Sequence, residues 1–329
     1  MESRKPIILK PYGSVSWERE TFAPIAEVKG KESVHGQPLV EAVREASILL
    51  ADVDITVSQD VVRAAAKLKG IVCFSTGLDY VDLAAATERG IYVTNVPDLA
   101  TESVAEYTIG LALALVRKIP RAEMAARQGK WQTRGTFQGR ELTGKTLGII
   151  GLGRIGRALA TKAKALGMGV IFYDPFVADA TAGQIGLDRV DMDSLLATAD
   201  VVSIHCPLND ETRGLIDHDK LRLMKPSSYL INVARGAIVK EDALYRALKH
   251  GWIAGGAVDV LENEPPDPSN PLLAFDELII TPHIAWNTLE ARQRARQTVT
   301  QEVIRILQGE VPQNLVNREL LERGRTPGT

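Results

Sequence analysis

The sequence is poor in cysteine and nearly balanced in charge, and both properties narrow the protein classes it can belong to. It contains two cysteines, Cys73 and Cys206, which lie far apart and have no metal-ligand partners at motif spacing. This argues against a disulfide framework and a metal site, and it favours a reducing compartment. The net charge of −2 supplies no overall field that would attract nucleic acid or an anionic membrane. We therefore expect none of these partners.

Long hydrophobic runs are missing as well. The longest, near residues 109–116, is far shorter than the roughly 20 apolar residues that a helix needs to cross a bilayer. The first ten residues contain no apolar segment followed by a small-residue cleavage site, so we expect no secretory leader and a cytoplasmic protein. With 329 residues, of which 45% are hydrophobic, the chain is long enough to form two cores.

Short apolar runs alternate with helical stretches in two series. In the first, the pattern predicts helices at 61–69 and 81–88 and strands at 6–9, 48–50, 71–74 and 91–93. The second series begins at Lys145 and predicts six strands, at 146–150, 170–173, 201–205, 229–233, 257–260 and 278–281. Such alternation is typical of an α/β protein with doubly wound parallel sheets, and six strands is the Rossmann number.

Three further segments lie around these series. Residues 101–116 predict a long helix, which Pro120 should end or kink. The polar stretch 132–142 predicts an exposed arm. Residues 288–307 predict an amphipathic helix that ends at Gly309, and we expect this helix to pack on the first domain.

A glycine motif follows the first strand of the second series. Gly151, Gly153 and Gly156 form Gly-x-Gly-x-x-Gly between an apolar run and a helix-forming stretch, which is the context of a dinucleotide-binding turn. The phosphates of the dinucleotide would lie at the helix N-terminus. Asp174 lies 18 residues beyond Gly156, near the spacing of the acid that binds the ribose. A structural Asp-Pro turn with Pro175 is the alternative explanation for this residue.

Polar residues that follow predicted strands are the candidates for chemistry, because the carboxyl ends of parallel strands face the ligand crevice. Arg235 follows the strand at 229–233, where an arginine can hold a carboxylate through two parallel hydrogen bonds. A solvated surface arginine fits this position equally well. Glu264 follows the strand at 257–260, and a carboxylate paired with a histidine would raise its pKa and define its tautomer. Position alone does not separate Glu264 from Glu262.

Five histidines are present, and two of them follow predicted strands. These are His205 and His283, and position leaves both as candidates for a proton-transferring group. The other three have polar helical or turn contexts and are expected to face water: His35, His218 and His250.

Four motifs in one order resemble the D-isomer-specific 2-hydroxyacid dehydrogenases, and the resemblance spans about residues 71–317. They are Gly151-Leu-Gly-Arg-Ile-Gly156, Asn232-Val-Ala-Arg-Gly236, Asp259-Val-Leu-Glu-Asn-Glu264-Pro and Thr281-Pro-His283. Phosphoglycerate dehydrogenases and hydroxypyruvate or glyoxylate reductases are the members that the chain resembles most. The resemblance implies NAD as cofactor and hydride transfer between NAD(H) and a small 2-hydroxy or 2-keto acid.

The resemblance also implies which residues act. Arg235 matches the residue that holds the substrate carboxylate and carbonyl, Glu264 rather than Glu262 matches the acid, and His283 rather than His205 matches the proton donor and acceptor. Ser75, Thr76 and Gly77 match the substrate loop, whose backbone N–H groups approach substrate and nicotinamide. Asp259 matches the residue that contacts the nicotinamide carboxamide. The full set of implied cofactor contacts is Gly151, Gly153, Arg154, Ile155, Gly156, Asp174, Cys206, Val233, Ala234, Arg235, Asp259, His283 and Ala285.

Two Rossmann-like domains are implied by the same resemblance. Residues 1–99 and 288–329 would form a discontinuous substrate-binding domain, and residues 100–287 an NAD-binding domain. Members of the family usually form dimers through the NAD-binding domain, so we expect a homodimer that involves residues 101–142.

Departures from the family pattern bear on the substrate. Phosphoglycerate-specific members often have an arginine where this chain has Cys73 and an asparagine where it has Ala100. The loop at 75–79 reads Ser-Thr-Gly-Leu-Asp instead of Gly-x-Gly-x-Asp. We therefore expect an unphosphorylated acid such as glyoxylate or hydroxypyruvate, with 3-phosphoglycerate dehydrogenase as the alternative enzyme. An NAD-sensing corepressor is the alternative of another class, because such relatives keep the same three catalytic residues.

Overall fold

The computed structural model describes residues 5–33, 37–177, 183 and 186–322. The strands are β1 (Ile7–Lys10), β2 (Glu27–Gly30), β3 (Ile48–Ala51), β4 (Gly70–Cys73), β5 (Tyr92–Thr94), β6 (Thr146–Ile150), β7 (Gly169–Tyr173), β8 (Asp188–Arg189), β9 (Val201–Ile204), β10 (Tyr229–Asn232), β11 (Gly255–Val258) and β12 (Leu278–Ile280). The α-helices are α1 (Ser16–Phe22), α2 (Leu39–Ala42), α3 (Gln59–Ala64), α4 (Leu83–Glu88), α5 (Thr101–Val116), α6 (Ile119–Arg127), α7 (Arg154–Ala165), α8 (Met192–Thr198), α9 (His218–Leu223), α10 (Glu241–Lys249), α11 (Leu289–Gln308) and α12 (Glu319–Glu322).

The chain divides into two compact units, each with its own sheet. The first unit contains Met1–Leu99 together with Thr288–Thr329, and the second contains Ala100–Asn287. The first unit is therefore built from both ends of the chain.

The sheet of the second unit has the order β12-β11-β10-β9-β6-β7-β8, and all its pairings are parallel. Chain order reverses between β6 and β9, because β7 and β8 extend the sheet on one side and β9 to β12 on the other. This is the Rossmann order with one further strand, and ligands bind such sheets at the carboxyl ends of the strands beside the reversal.

Alternating side chains of these strands enter two separate cores. Leu147 and Ile149 of β6 pack with α5 and α7 on one face, whereas Ile150 packs with α8 and α10 on the other. Helices thus cover both faces, as a parallel sheet requires.

The sheet of the first unit has the order β2-β1-β3-β4-β5, again with parallel pairings throughout. Its chain order reverses between β1 and β3, which makes it doubly wound like the sheet of the second unit. The predicted fold class is therefore confirmed for both units.

Helix α11 returns to the first unit, as its apolar face predicts. It begins after Thr288, whose side chain caps Ala291 N–H, and it ends at Gly309, which has a φ of 80°. A Cβ at Gly70 in β4 would lie 2.7 Å from Ile306 Cδ1, so the helix packs directly on the strand. The small residue at the start of β4 permits this close contact.

The sequence prediction was wrong or incomplete at several places, and helices α1 and α2 were not predicted. Strands β2 and β8 were missed, because β2 buries mainly Val28 and Gly30 and β8 has two exposed residues. The helix predicted at 61–69 ends at Ala64. Pro120 lies in the first turn of α6, where its missing N–H costs nothing.

No α-helix in the described ranges is both long enough and apolar enough to cross a membrane.

Candidate active site

The glycine motif lies at the reversal point of the second unit's sheet. Gly151 follows β6 with a φ of 95°, a backbone conformation that favours glycine. A Cβ there would lie 2.5 Å from the backbone nitrogen of Cys206, which follows β9. A Cβ at Gly156 would lie 2.4 Å from the Gly151 carbonyl oxygen. Both positions therefore need glycine for the turn from β6 to α7 to form.

The N-terminus of α7 is open at the remaining glycine. Gly153 precedes the helix, and a Cβ at this position would meet no atom within 4 Å. Arg154 is exposed and Ile155 half-buried in the first turn. Free N–H groups and the helix dipole favour an anion at such an end, so the turn fits the pyrophosphate of a dinucleotide.

Asp174 is held against this turn at the end of β7. Its Oδ2 accepts from Leu152 N–H at 2.8 Å and its Oδ1 from Phe176 N–H at 2.9 Å. A carboxylate has about four acceptor positions, so capacity remains for ribose hydroxyls. The half-buried Cys206 lies nearby, and burial together with the charge of Asp174 raises the pKa of its thiol to about 11. The donors and acceptors around the turn therefore fit a dinucleotide.

Arg235 stands on a turn that Asn232 closes. The buried Asn232 amide donates to the Arg235 carbonyl oxygen at 2.8 Å and accepts from Ala234 N–H at 3.1 Å. Arg235 Nη1 donates to the Ala234 carbonyl oxygen at 2.8 Å. The half-buried Val233 and Ala234 lie between these two residues. No role was predicted for Asn232 from the sequence, although its position at the end of β10 was a usable signal.

Gly236 brings the Arg235 turn against the loop that carries Glu264. A Cβ at Gly236 would lie 1.9 Å from the carbonyl carbon of Leu261 and 2.5 Å from Glu262 N. Any other residue would separate the two loops. This requirement was also missed, since the sequence offers no sign of what a glycine faces.

The structure distinguishes the two acidic residues that position alone left equivalent. Glu262 accepts from Glu241 N–H at 3.1 Å and donates its own N–H to Glu241 Oε1 at 2.7 Å, so it caps α10. Glu264 instead accepts from Leu261 N–H through Oε1 and bonds His283 Nδ1 through Oε2, at 2.7 Å. Glu264 is therefore the acid beside the histidine.

The hydrogen bond to Glu264 defines the protonation of His283. The hydrogen bond raises the pKa of the His283 imidazole, whereas burial and the positive charge of Arg235 lower it. The net shift is upward. Burial raises the pKa of Glu264, but the hydrogen bond and charge of His283 outweigh it and the net shift is downward. Because Nδ1 faces the carboxylate, it carries a proton and Nε2 is the titrating nitrogen. Arg235 influences both pKa values, so its charge lies close to the pair.

Asp259 holds the segment on which His283 lies. This buried carboxylate accepts from Thr281 Oγ1 at 2.6 Å, Ile284 N–H at 3.0 Å and Ala285 N–H at 2.8 Å. His283 has a φ of 53°, which costs energy for a residue other than glycine. Its N–H donates to the Asp259 carbonyl oxygen at 2.8 Å. Asp259 thus holds the histidine in a strained conformation.

The rival histidine has a different environment. Burial lowers the pKa of His205 to about 3, and its Nε2 lies 2.8 Å from Ser203 Oγ. It is therefore neutral near pH 7. Of the three histidines expected to face water, His250 is exposed, His218 is half-buried against the ring of Trp252, and His35 lies outside the described residues.

The first unit places the predicted substrate loop directly after β4. Ser75 is buried, and its Oγ donates to the Gly77 carbonyl oxygen at 2.6 Å, while Tyr80 Oη lies 2.7 Å away. Thr76 Oγ1 donates to the Val96 carbonyl oxygen at 2.9 Å. Within the described chain, the backbone N–H groups of Thr76 and Gly77 donate to no protein acceptor. The side chains stabilise the loop, and the N–H groups are available to a ligand.

A cation that the sequence analysis missed lies beside this loop. Lys10 Nζ is 5.5 Å from the centre of the Phe74 ring, near enough for a cation–π contact. It also bonds Glu18 Oε1 at 2.6 Å and the Ser14 carbonyl oxygen at 2.9 Å. The Glu18 side chain is 4% exposed, so a buried carboxylate neutralises the charge of Lys10.

Replacing Glu264 by glutamine should lower the pKa of His283. Glutamine keeps a polar group beside Nδ1 but removes the negative charge that raises the imidazole pKa, so Nε2 should lose its proton at a lower pH. NMR titration of the His283 ring measures its titration midpoint in the wild-type protein and in Glu264→Gln. Glu262→Gln is the matched control and should leave the midpoint unchanged. Equal His283 midpoints in Glu264→Gln and wild type would contradict the pairing.

Comparison with known proteins agrees with this geometry. Residues 109–285 match the family model described as D-isomer specific 2-hydroxyacid dehydrogenase, NAD binding domain. A glyoxylate reductase of Thermofilum pendens is 43% identical over 290 residues, which cover 87% of this chain and 86% of that protein. A D-3-phosphoglycerate dehydrogenase of Archaeoglobus fulgidus is also 43% identical, over 90% of this chain but 56% of its own length.

A solved structure extends the likeness to the whole chain. The D-lactate dehydrogenase of Aquifex aeolicus, in complex with NAD and lactic acid, superposes with a TM-score of 0.84 at 30% identity. The superposition covers 98% of this chain and 99% of that one. The chain therefore belongs to the D-isomer specific 2-hydroxyacid dehydrogenase family and is an NAD-dependent oxidoreductase.

Proposed function

We propose that this protein reduces a small, unphosphorylated 2-keto acid with NADH and catalyses the reverse oxidation of the D-2-hydroxy acid. Glyoxylate and hydroxypyruvate are the expected substrates. The observation that carries the proposal is the 2.7 Å hydrogen bond between His283 Nδ1 and Glu264 Oε2, close to the charge of Arg235. The 43% identity to a glyoxylate reductase supports the choice of substrate.

The residues of the glycine turn would hold the cofactor. The backbone from Gly151 to Gly156 would bind the pyrophosphate, and Asp174 the adenosine ribose, with Cys206 beside the adenosine. Val233, Ala234, Asp259 and Ala285 would complete the nicotinamide side. NADH supplies the hydride when it is bound, and the protein must supply orientation and a proton.

Arg235 is proposed to orient the substrate. Its planar guanidinium can donate two parallel hydrogen bonds to the substrate carboxylate or polarise the carbonyl oxygen. The N–H groups of Thr76 and Gly77 would add donors for the carboxylate. The substrate would be held by local donors, which fits a chain whose net charge is close to zero.

His283 is proposed to transfer the proton through Nε2. In reduction the imidazolium gives its proton to the carbonyl oxygen, and in oxidation the neutral imidazole accepts the hydroxyl proton. Glu264 keeps Nδ1 protonated and stabilises the imidazolium. Because Glu264 raises the pKa of His283, it should extend reduction to higher pH.

The surroundings of Phe74 support an unphosphorylated substrate. A phosphate carries about −1.5 to −2 charges near neutral pH and is usually bound by arginine or lysine. The cation beside the loop, Lys10, is already paired with the buried Glu18. A phosphate at this place would meet a neutral ion pair and would recover little of its desolvation cost.

The proposal predicts a rank order of substrates. With NADH, kcat/KM for glyoxylate and for hydroxypyruvate should exceed that for phosphohydroxypyruvate by roughly tenfold or more, equivalent to about 1.4 kcal/mol. The measurement is the loss of NADH absorbance. Lack of turnover with every keto acid would contradict the proposed reaction, and a preference for the phosphorylated acid would make 3-phosphoglycerate dehydrogenase the better assignment.

Two matched variants complete this experiment. Arg235→Lys keeps the charge but loses the planar fork, and kcat/KM should fall about 100-fold because a misplacement near 1 Å has effects of that size. Arg222→Lys changes an arginine that lies over the Trp252 ring, and it should retain the wild-type rate. Similar rates in the two variants would remove Arg235 from the proposed mechanism.

We further expect NADH to be preferred over NADPH. The Asp174 carboxylate would repel the 2′-phosphate of NADPH, and two like charges about 5 Å apart near a protein surface repel by roughly 3 kcal/mol. The preference in kcat/KM should therefore be at least about tenfold, and Asp174→Asn should narrow it. Equal or better use of NADPH by the wild-type enzyme would show that Asp174 does not select the cofactor.

A homodimer through residues 101–142 is part of the proposal. This segment exposes Ile119, Met124 and Trp131, which are 52%, 49% and 69% accessible, and a second copy would remove these apolar side chains from water. Light scattering should give twice the mass of one chain, and Trp131→Asp should reduce that mass. A wild-type mass equal to one chain would contradict the dimer.

A further inference from the structure

Glu264 stands on a loop that has little regular structure of its own. Residues 261–270, the Glu264 loop, lie between β11 and a short 3₁₀ helix at Pro271–Ala274. Three of its residues are prolines, which donate no backbone hydrogen bond, and most of the others are exposed. Such a segment holds a catalytic side chain in place only if neighbouring groups lock it there.

Both ends of the Glu264 loop are held by one side chain. Glu241, the first residue of α10, accepts from Glu262 N–H through Oε1 at 2.7 Å and from Asn270 Nδ2 through Oε2 at 2.8 Å. Glu262 returns the bond, because its own Oε1 accepts from Glu241 N–H at 3.1 Å. Asn270 Oδ1 in turn accepts from Leu272 N–H at 3.0 Å. Glu241 therefore joins the start and the end of the loop to α10.

Glu264 lies between these two attachments. Its Oε1 accepts from Leu261 N–H at 3.1 Å, and its Oε2 lies 2.7 Å from His283 Nδ1. The Glu264 side chain is 37% exposed, so packing alone does little to immobilise it. Its distance from His283 therefore depends on where the loop is held.

The contacts of Glu241 differ from those of an ordinary acid at the start of a helix. Any carboxylate in the first turn is stabilised by the helix dipole, and Asp242 occupies the same turn of α10. Asp242 Oδ2 lies 3.3 Å from His218 Nε2, whereas both carboxylate oxygens of Glu241 accept hydrogen bonds from the Glu264 loop. The two residues thus share a position on the helix but not a set of partners.

We propose that Glu241 is a positioning residue, whose carboxylate holds the Glu264 loop so that Glu264 stays within hydrogen-bond distance of His283. This rests on the proposed proton transfer by His283 and deepens it. The charged groups that act on the His283 imidazole are Glu264, Arg235 and Asp259, and of these Glu264 is the one that the loop carries. A looser loop would weaken the hydrogen bond that raises the imidazole pKa, so His283 would lose its proton at a lower pH.

NMR titration of the His283 ring in the full-length protein tests the proposal. Glu241→Gln leaves one acceptor oxygen for two donors, and Asn270→Ser removes one donor while its hydroxyl can still cap Leu272 N–H. Both variants should lower the His283 midpoint. Asn270→Ser leaves the net charge unaltered, so a lower midpoint in this variant cannot be a direct effect of charge. Asp242→Asn is the matched control, which removes one charge from the same helical turn and should leave the midpoint unchanged.

A double variant separates positioning from a direct electrostatic effect. If Glu241 acts through Glu264, adding Glu241→Gln to Glu264→Gln should shift the His283 midpoint no further, because residues that act through one another are not additive. The proposal would be overturned by an unchanged midpoint in Glu241→Gln or Asn270→Ser, by an equal shift in Asp242→Asn, or by a full additional shift in the double variant.

The rate of keto acid reduction should follow the midpoint. In Glu241→Gln, kcat should fall by about 3-fold to 10-fold above the wild-type midpoint, the size of effect expected for one weakened hydrogen bond, and by less at lower pH. An equal decrease at every pH would indicate a general structural defect and would also overturn the proposal. Failure of the proposed function would instead appear as no turnover of any keto acid, with the shifts of the His283 midpoint still present.

Discussion

The buried carboxylate of Asp259 organises the sheet edge on which the candidate catalytic residues stand. It accepts three hydrogen bonds from the segment that contains His283, and hydrogen bonds to a charged group contribute about 1.5–3 kcal/mol each. These bonds offset the cost of burying the charge and of the left-handed backbone at His283. Without them the imidazole would not be held beside Glu264, and the pKa shift that suits His283 to proton transfer would be lost.

Close backbone contacts at glycines complete the arrangement. Gly151 lets the turn after β6 touch the chain after β9, and Gly236 lets the turn after β10 touch the loop after β11. In each case an added Cβ would lie within 2.5 Å of a backbone atom of the neighbouring loop. Parallel strands carry their successive loops to one edge, and these glycines allow the loops to pack there without a gap. The cofactor turn and the Arg235 turn therefore depend on the absence of a side chain.

The two sheets use charge differently at their carboxyl edges. In the second unit, Arg235 lowers the pKa values of both Glu264 and His283, so one cation, one carboxylate and one imidazole act as a coupled group. In the first unit, Lys10 is neutralised by the buried Glu18, and the loop after β4 offers backbone N–H groups. The first arrangement suits proton transfer and carboxylate binding, whereas the second offers a neutralised ion pair and backbone donors.

The local sequence pattern determined much of the fold and the position of the chemistry. Apolar runs of four or five residues located most strands because buried parallel strands are hydrophobic on both faces, and Gly-x-Gly-x-x-Gly marked the turn after β6. Arg235, Glu264 and His283 became candidates because each follows a strand, and the family resemblance, not position, favoured Glu264 over Glu262 and His283 over His205. The same reasoning failed for β2 and β8, which bury few side chains and so leave little hydrophobic signal.

Tertiary structure decided what spacing along the chain cannot express. Glu262 and Glu264 are equivalent as sequence positions, and they differ because one caps α10 and the other reaches His283. His205 and His283 both follow strands, and burial alone makes the first a neutral side chain. The roles of Asn232, Gly236 and Lys10 depend on neighbours that the local sequence pattern does not identify. Sequence periodicity reports which residues are buried, whereas pKa values and unpaired donors depend on which groups the fold brings together.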